Sequence, residues 1–451
     1  MGENGGVNTE ATAEAITRAL VAVPSPSHSE GERTVADLLR QHGSELGWQP
    51  LTGQLGGFDD GNAFLFIEGP SRDTIILTGH HDTVGFTAYS HLGGPDLACN
   101  PDALAAHFDY GPDWMLGRGV FDMKSGLAAH LVAGKLASEA GLPCSLLFAS
   151  FADEEGLSRG ARRGAGTIAG IGEALGLRFI AAINSDICPM RWCCHYPVWF
   201  GSVGKANVLF SLSISRGHAG DRKGVKKATV ASEKLLAGMA GCPVIRIWNS
   251  ASDGFSAGGE LHVLTAITWR SGRAMDTLAQ LLFNIRKATG LSAQNSLAMI
   301  DGNCTADQVA AKVEQAAAST PSHEPRLFYS LLDPFYHCAP PSDWLKARVK
   351  ESLRGFRWLS PRYLNEFPLV SDLSFLWGVS DDLTEQGVAA CLIQHPDISG
   401  IPDPRLRIPS VNIGPLGADA HLATERIERG FTFRDLPQLI ASAIASIGRS
   451  A

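Results

Sequence analysis

Apolar positions along the first part of the chain follow two spacings, one typical of helices and the other of buried strands. In residues 11–22 and 30–43 they recur every three or four positions, which predicts two amphipathic helices. Short continuous apolar runs follow, bounded by turn residues or charges, as in strands buried on both faces. Alternating strands and helices predict an α/β fold with a mostly parallel central sheet flanked by helices. The predicted strands are residues 63–67, 74–78, 145–151 and 179–183, and the predicted helices among them are residues 125–140 and 160–175.

A second alternation of strands and helices begins near residue 203. Its apolar pattern predicts strands at residues 206–215 and 260–269 and helices at residues 225–240 and 275–288. Strand, helix, strand and helix in one stretch predict a smaller α/β domain that is inserted into the first domain.

The chain is predicted to return to its first domain through the polar segment 317–326, which contains two prolines. Helix 342–354 and strand 410–413 would then complete the first domain's sheet. We therefore predict a first domain made of residues 1–202 and 321–451, and an inserted domain of residues 203–320.

Composition and charge narrow the classes of function. Hydrophobic residues make up 45% of the 451 positions and charged residues 19%, values typical of a globular protein that folds throughout. The formal charge of −8, without a long basic run, gives no electrostatic basis for binding nucleic acid or an anionic membrane. Residues 1–10 lack the apolar stretch of a signal peptide, and no apolar run approaches the roughly 18 residues of a membrane-spanning helix. We therefore predict a cytoplasmic protein that acts on a small molecule.

The nine cysteines lack the paired spacing of a zinc knuckle or of a disulfide framework. Most are therefore predicted to be reduced and to pack as small apolar side chains. Cys188, Cys193 and Cys194 lie close enough in the sequence to offer an alternative, a site for a soft metal ion.

Residues with metal-binding chemistry follow the predicted strands, where an α/β sheet places its ligand crevice. His80 and Asp82 come directly after strand 74–78, and their spacing turns both side chains to one side of an extended segment. A carboxylate so placed can orient an imidazole toward a metal ion, although such a pair is also common as a structural contact. Asp122 stands in a glycine-rich segment before a predicted helix, where it could bind a metal ion or simply cap the helix.

An acidic triplet follows the next strand, residues 145–151. Asp153, Glu154 and Glu155 repel one another unless solvent, protons or cations intervene, and a divalent cation is a natural partner. The alternative interpretation is a solvated acidic turn.

Two isolated residues complete the set of candidate ligands. Asp186 follows strand 179–183 and could be a metal ligand or a turn former. His421 lies in a loop in the last part of the sequence, where a single histidine is often a surface residue. Taken together, histidine and carboxylate donors at successive strand ends suit zinc, manganese or cobalt.

These segments, in this order, resemble the metallopeptidase family that includes aminoacylase, acetylornithine deacetylase, succinyl-diaminopimelate desuccinylase and dinuclear-zinc carboxypeptidases. The resemblance covers nearly the whole chain and is weakest between about residues 241 and 340. Residues 101–126, 371–376 and 411–426 are particularly similar to the bacterial arginine-utilisation (Roc) branch of that family. The resemblance implies a metal-dependent hydrolase that cleaves a carbon–nitrogen bond.

The resemblance also implies two divalent ions in each subunit. One ion would be held by His80 and Asp186, and the other by Glu155 and His421. Asp122 would bridge the two ions. The metals that the resemblance implies are zinc, manganese or cobalt.

Further roles carry over to residues beside those ligands. Glu154 would be the general base, and Asp82 would orient His80. The inserted domain would serve as a lid and dimerisation unit, so a homodimer or a higher homo-oligomer is expected. Its His218 would reach a neighbouring active site and stabilise the oxyanion, although a histidine at that position could also be a plain strand-end residue.

The segment that should anchor a substrate departs from the family pattern. The asparagine-containing glycine-rich segment and the acid and arginine pair of many members are not found, which leaves Arg216 and Arg270 as candidates. Family substrates range from acylated amino acids and peptides to an activated aromatic amine, 5-nitroanthranilate, which one similar enzyme hydrolyses at its amino group. The sequence leaves amide hydrolysis and amine hydrolysis both open.

Two other functions compete with this one. Residues 156–160, Gly-Leu-Ser-Arg-Gly, match the nucleophile-elbow pattern of serine hydrolases, but acidic residues separate them from the strand that should run straight into the turn. A catalytically silent metal- or ligand-binding protein is the second alternative. Glu154 and Asp122, whose loss would mark such a protein, are both present.

Overall fold

The structure is a computed structural model that describes residues 8–52, 61–189, 195–218, 222–249, 256–270, 273–300, 302–319, 324–369, 371–378, 392–396 and 405–449. Its helices are α1 (Thr9–Val21), α2 (Glu30–Glu45), α3 (Pro95–Ala98), α4 (Pro101–His107), α5 (Ser125–Glu139), α6 (Arg159–Leu175), α7 (Arg222–Gly238), α8 (Ala274–Thr289), α9 (Ala306–Ser319), α10 (Asp343–Ser352) and α11 (Leu436–Gly448). Its strands are β1 (Gln49–Pro50), β2 (Ala63–Ile67), β3 (Asp73–His80), β4 (Trp114–Leu116), β5 (Ser145–Phe151), β6 (Arg178–Asn184), β7 (Cys188–Pro189), β8 (Tyr196–Ser202), β9 (Gly204–His218), β10 (Val244–Asn249), β11 (Ser256–Trp269), β12 (Ala293–Asn295), β13 (Arg326–Tyr336), β14 (Pro361–Phe367), β15 (Leu392–Ile393), β16 (Ser410–Asn412), β17 (Leu416–Ala418) and β18 (Arg426–Glu428).

The chain divides into two compact units. The first consists of Met1–Ser202, Ala339–Gly378 and Gly400–Ala451, and the second of Val203–Cys338 and Val379–Ser399. Strand β13 belongs to the second unit, although it lies beyond residue 320, where we placed the end of the inserted domain. The division into functional domains stays a prediction.

The first unit is built on an eight-stranded sheet with the order β1-β2-β5-β3-β6-β16-β8-β14. The neighbours β5, β3, β6 and β16 run parallel, whereas β16 and β8 are antiparallel. Strands β3 and β5 are buried along their whole length, as expected for a sheet covered on both faces. Helix α5 packs against α1, α11, β3 and β5, and this packing forms the apolar core of the unit.

A small four-stranded sheet with the order β4-β18-β17-β7 completes the first unit. Strands β17 and β18 form an antiparallel pair on either side of the loop that contains His421. Strand β18 also pairs with β4, which precedes the loop that contains Asp122. The small sheet therefore brings together two loops that lie far apart in the sequence.

The second unit is built on a sheet with the order β10-β11-β9-β13-β12, and β15 pairs with β13. The long strands β9 and β11 are antiparallel over most of their length. Helices α7 and α8 pack against each other and against β11, and α9 packs against β9. The predicted α/β fold with a second, smaller α/β unit is confirmed.

The predicted return linker, residues 317–326, is wrong at both of its ends. Residues 317–319 complete α9, and Arg326 begins β13, which pairs with β9. The prediction rested on two prolines and neglected the apolar side chains that follow Arg326, which pack into the core of the second unit. Residues 320–323 lie outside the described part of the chain.

The described cysteines are free thiols, and all of them except the half-buried Cys242 are buried. Cys193 and Cys194, two of the three residues in the alternative soft-metal site, lie outside the described residues. Among the helices that the structure describes, none is both long enough and apolar enough to cross a bilayer.

Candidate metal centre

Most candidate ligands lie at the carboxyl ends of neighbouring parallel strands in the first unit. His80 is the last residue of β3 and pairs with Phe151, the last residue of β5. Asp186 follows β6, whose last residue Asn184 pairs with Thr78 of β3. Because parallel strands end at the same edge of a sheet, the short apolar runs of the sequence are enough to bring these side chains together.

Asp122 stands between two histidines that come from opposite ends of the chain. Its Oδ1 lies 3.1 Å from His80 Nε2, and its Oδ2 lies 3.2 Å from His421 Nε2. The same nitrogen of His421 lies 2.8 Å from Glu155 Oε1. Each oxygen of Asp122 therefore faces a different imidazole, as a bridging carboxylate does.

Two sets of three donors result, and they share Asp122. In each set the donor atoms lie within 4.8 Å of one another, which is the separation expected for ligands of one ion. The first set is His80, Asp122 and Asp186, and the second is Asp122, Glu155 and His421.

The fully buried carboxylate of Asp82 organises the surroundings of His80. Its Oδ1 lies 3.4 Å from His80 Nδ1, so the other ring nitrogen, Nε2, faces the donor set. Asp82 also accepts hydrogen bonds from the backbone N–H groups of Glu154 and Glu155, at 3.0 and 3.1 Å. Ser27 Oγ donates a further hydrogen bond of 2.7 Å. One carboxylate thus positions a histidine and the acidic turn opposite it.

His81, the neighbour of His80, faces away from the donors. Its Nδ1 lies 2.9 Å from Ser150 Oγ on β5, and the side chain is completely buried. Burial lowers the pKa of His81 to about 3, which keeps the ring neutral. The alternation of side chains along β3 separates the two histidines, so only His80 joins the centre.

Burial and neighbouring charges shift the pKa values of the acidic groups and of His421 in the centre. Burial, together with the charge of neighbouring acids, raises the pKa of Glu154 and of Asp186 well above the usual range. Burial acts in the same direction on Asp122, but hydrogen bonds from His421 and His80 hold its pKa below the usual range. Hydrogen bonds to Asp122 and Glu155 raise the pKa of His421 to about 11. Such a site favours cations, and its nitrogen and oxygen donors fit a pair of divalent metal ions.

A buried ion pair that the sequence did not reveal supports both loops of the small sheet. Arg118 donates a hydrogen bond of 2.6 Å to Glu425 Oε2 and another of 3.0 Å to the carbonyl oxygen of His421. Glu425 Oε1 in turn accepts from the backbone N–H groups of Phe121 and Asp122, at 3.1 and 3.3 Å. The pair therefore links the backbone of Asp122 to that of His421.

Glu32 is a second residue that sequence reasoning missed. Its carboxylate accepts the backbone N–H of Asp153 at 2.7 Å and that of His28 at 2.9 Å. Burial, together with the nearby Asp82, raises the pKa of Glu32 to about 7. With Asp82, it anchors three successive N–H groups of the turn that carries Glu154. Its signal in the sequence was its spacing, since position 32 falls on the apolar face of the helix, together with Val35 and Leu39.

Three candidates lie in the second unit. Arg216 and His218 are in the last part of β9, and their side chains lie outside what the structure describes. Arg270 is exposed and directly follows β11. Their roles toward substrate stay predictions.

Ser158, the serine of the competing hydrolase motif, is completely buried. Its hydroxyl lies within hydrogen-bonding distance, 3.3 Å, of the carbonyl oxygen of Glu154. It stands at the residue that precedes α6, where it belongs to the backbone turn rather than to an exposed nucleophile elbow.

Residues 76–325 match peptidase family M20/M25/M40, a stretch of more than half of the 451 residues. The chain belongs to this family. It is accordingly a metal-dependent hydrolase that acts on carbon–nitrogen bonds, as the sequence predicted. The M20 match includes every candidate ligand except His421, which lies beyond residue 325.

Two curated proteins of Bacillus subtilis (strain 168) are similar to this M20 chain. Protein RocB is 29% identical over 248 residues, which cover 48% of this chain and 42% of RocB. The uncharacterized protein YqjN is 22% identical, and that alignment covers 96% of both chains. The predicted resemblance to the Roc branch is confirmed, while less than half of RocB itself is matched.

Solved structures share the fold. The M20 family metallo-carboxypeptidase Sso-CP2 from Sulfolobus solfataricus aligns with a TM-score of 0.63 at 12% identity, over 96% of this chain and 99% of that one. The YXEP protein of Bacillus subtilis, described as a dinuclear metal-binding peptidase of the M20 family, aligns with a TM-score of 0.56 at 11% identity, over 97% of both chains.

Proposed function

We propose that this chain hydrolyses an amide or peptide bond of a small substrate, using two divalent ions and Glu154 as the general base. One observation carries the proposal: the two oxygens of Asp122 face two different histidines, His80 and His421. Two donor sets that share a carboxylate suit a pair of ions better than a single ion.

In this proposal each ion has its own pair of ligands besides the shared one. His80 and Asp186 would hold the first ion, and Glu155 and His421 the second, with Asp122 as the bridge. Zinc, manganese and cobalt all accept such nitrogen and oxygen donors. When bound, the ions lower the pKa of a water molecule toward neutrality and polarise the scissile carbonyl group.

Glu154 is the residue best suited to move the proton. Its Oε2 lies 4.0 Å from His80 Nε2, beside the first donor set. Burial raises the pKa of Glu154 well above the usual range for a carboxyl group, so this side chain binds a proton more readily than an exposed glutamate does. In the reaction it would accept a proton from the attacking water and return it to the departing nitrogen.

Asp82 and Glu32 would position that base. They accept the three N–H groups of the turn that includes Glu154, which limits the backbone freedom of the catalytic side chain. We further propose that His218 of a partner subunit stabilises the oxyanion, in a homodimer or a higher homo-oligomer. Arg216 and Arg270 remain the candidates for anchoring the substrate.

The test is the variant Glu154→Gln in manganese-loaded or zinc-loaded protein. We expect turnover to fall by about 100-fold or more because the proton acceptor is lost, whereas the metal content should be unchanged because Glu154 is not a ligand. Screening should include N-acyl amino acids, dipeptides and aromatic amines, with amine or ammonia release as the readout. The last of these classes tests hydrolysis of an activated aromatic amine, the alternative to amide hydrolysis.

Glu139→Gln is the matched control, since Glu139 is exposed on α5 and its partner among the described residues is Lys135. It should retain full turnover. Undiminished turnover by Glu154→Gln, with the control also active, would remove Glu154 from its proposed role.

A further inference from the structure

A short segment that the proposed mechanism does not use lies at the same edge of the sheet. Asp372 begins the 3-10 turn Asp372–Phe375. Its neighbour Ser371 accepts a hydrogen bond of 3.0 Å from the side chain of Asn184, the last residue of β6. The turn also packs against β3 and α6. These contacts hold Asp372 at the carboxyl ends of the strands that carry the candidate ligands.

Asp372 is a buried carboxylate with an unused acceptor. The residue is only 2% exposed, and its Oδ1 has no hydrogen-bond partner among the described residues. Buried carboxylate oxygens are normally hydrogen-bonded, because removing them from water without a partner costs free energy. The unpaired oxygen therefore indicates a missing partner.

The charge of Asp372 acts on the metal centre. It contributes to the raised pKa of Glu154 and of Asp186, so its side chain lies within electrostatic reach of both. Burial raises the pKa of Asp372 itself to about 7; the charge of His80 opposes this rise, and the charges of the neighbouring acids, among them Asp82, add to it. Asp372 belongs to neither set of three donors.

Asp372 is an acid in excess of what the proposed chemistry requires. The other carboxylates of the centre are ligands or the general base, except Asp82. Asp82 is satisfied within the protein by Ser27 and by the N–H groups of the acidic turn. Within the part of the chain that the structure describes, no comparable donor reaches Oδ1 of Asp372. A group that supplies both a positive charge and an N–H donor would satisfy it.

We propose that Asp372 binds a cationic nitrogen group of the substrate, an ammonium or a guanidinium, beside the metal centre. This inference rests on the proposed function and narrows its substrate class to positively charged amides or peptides. A neutral substrate of the same shape would leave the buried carboxylate unpaired, so it would bind more weakly.

Binding to manganese-loaded protein with Glu154→Gln tests the inference without turnover. Calorimetry would compare N-acetyl-L-arginine with N-acetyl-L-citrulline, which differ in charge but hardly in shape. A second comparison, of L-alanyl-L-alanine with its N-acetyl derivative, tests an ammonium group instead. We expect the cationic member of at least one pair to bind about tenfold more tightly or better, and the pair that responds identifies the group.

Adding Asp372→Asn should reduce that preference to within about twofold, because the amide keeps the shape of the carboxyl group but not its charge. Asp372→Ser, a smaller neutral side chain, should do the same and serves if the asparagine variant fails to fold. Asp37→Asn is the control: its side chain is 67% exposed and paired with Arg40 on α2, so the preference should be unchanged.

An unchanged preference in both Asp372 variants would overturn the inference. So would the absence of a preference in both pairs, including the case in which neither cationic member binds. Failure of the proposed function gives a different result, namely turnover that does not depend on Glu154. The two failures are therefore distinguishable.

Discussion

At the scale of single residues, the centre depends on Asp122, whose carboxylate stands between two histidines. Its two oxygens face His80 and His421, and each histidine belongs to only one donor set. Loss of one histidine should therefore affect one ion more than the other.

Replacing His421 with Ala should lower the bound metal from two ions per chain to about one, since His80, Asp122 and Asp186 remain together. Turnover should fall by about 100-fold or more, because the attacking water would lose one of the two cations that activate it. Elemental analysis after dialysis against manganese or zinc measures the stoichiometry. His107→Ala, an exposed histidine on α4, is the control. Two ions retained by the His421 variant would contradict the assignment.

Most of the ligands that sequence analysis identified lie at the ends of clear apolar runs. His80, Glu155 and Asp186 stand at or shortly after the ends of buried strands, so strand prediction alone placed them at one edge. Arg118 and Glu425 could not be found in this way, because the pairing of residues so far apart in the sequence depends on the small sheet. Asp372 lay within a segment noted only for its resemblance, and its unpaired oxygen is a property of three-dimensional burial.

At the scale of elements, the central strands of the first unit's large sheet, β2, β5, β3, β6 and β16, were predicted closely. The predicted strand 145–151 is the observed β5, and the predicted helix 125–140 is one residue longer than α5. Strands β8 and β14 were missed, since proline and polar residues interrupt the apolar pattern of both. Strand β13 was missed because it begins at the end of a polar segment that contains two prolines. These strands depend on long-range pairing for their stability rather than on local pattern.

The end of β16 approaches the backbone at Asp186 so closely that only glycine fits. A Cβ at residue 414 would overlap the carbonyl oxygen of Asp186. Gly414→Ala should therefore destabilise the protein by about 1–3 kcal/mol and weaken metal binding, because Asp186 must shift. Chemical denaturation and metal titration measure the two effects.

Gly166→Ala provides the comparison for Gly414→Ala. Gly166 is exposed in the middle of α6, and a Cβ there would meet open space. The substitution should stabilise the protein by about 1 kcal/mol, because alanine has the higher helix propensity. Equal effects of the two substitutions would argue against the close approach at Gly414.

At the scale of the whole molecule, the buried acids predict how stability depends on pH. Burial raises the pKa of Glu32, Asp372 and Glu425 to about 7 in the folded chain, from their ordinary values of 4.5, 3.8 and 4.5. Between pH about 4.5 and about 7 these three carboxyl groups bind more protons in the folded state than in the unfolded state. They outnumber the two buried histidines His81 and His130, whose lowered pKa acts in the opposite direction. Stability falls as the pH rises through that window.

Thermal unfolding of the chelated protein at pH 5.0 and pH 7.5, roughly the limits of that window, tests this expectation. We expect the lower midpoint at the higher pH. Saturation with manganese should reduce the difference, because bound cations stabilise the ionised carboxylates and add binding free energy to the folded state. A midpoint of the chelated protein that rises with pH would contradict the expected sign.

The wide separation of the ligands in the sequence has a consequence for biosynthesis. His80, Asp122 and Asp186 are translated long before His421. Since folding begins at the amino-terminal side while translation continues, a nascent chain can carry the first chelating group without the second. The ribosome must therefore translate past residue 421 before the proposed second ion has its full set of ligands, which makes full metallation a later step of maturation than assembly of the first donor set.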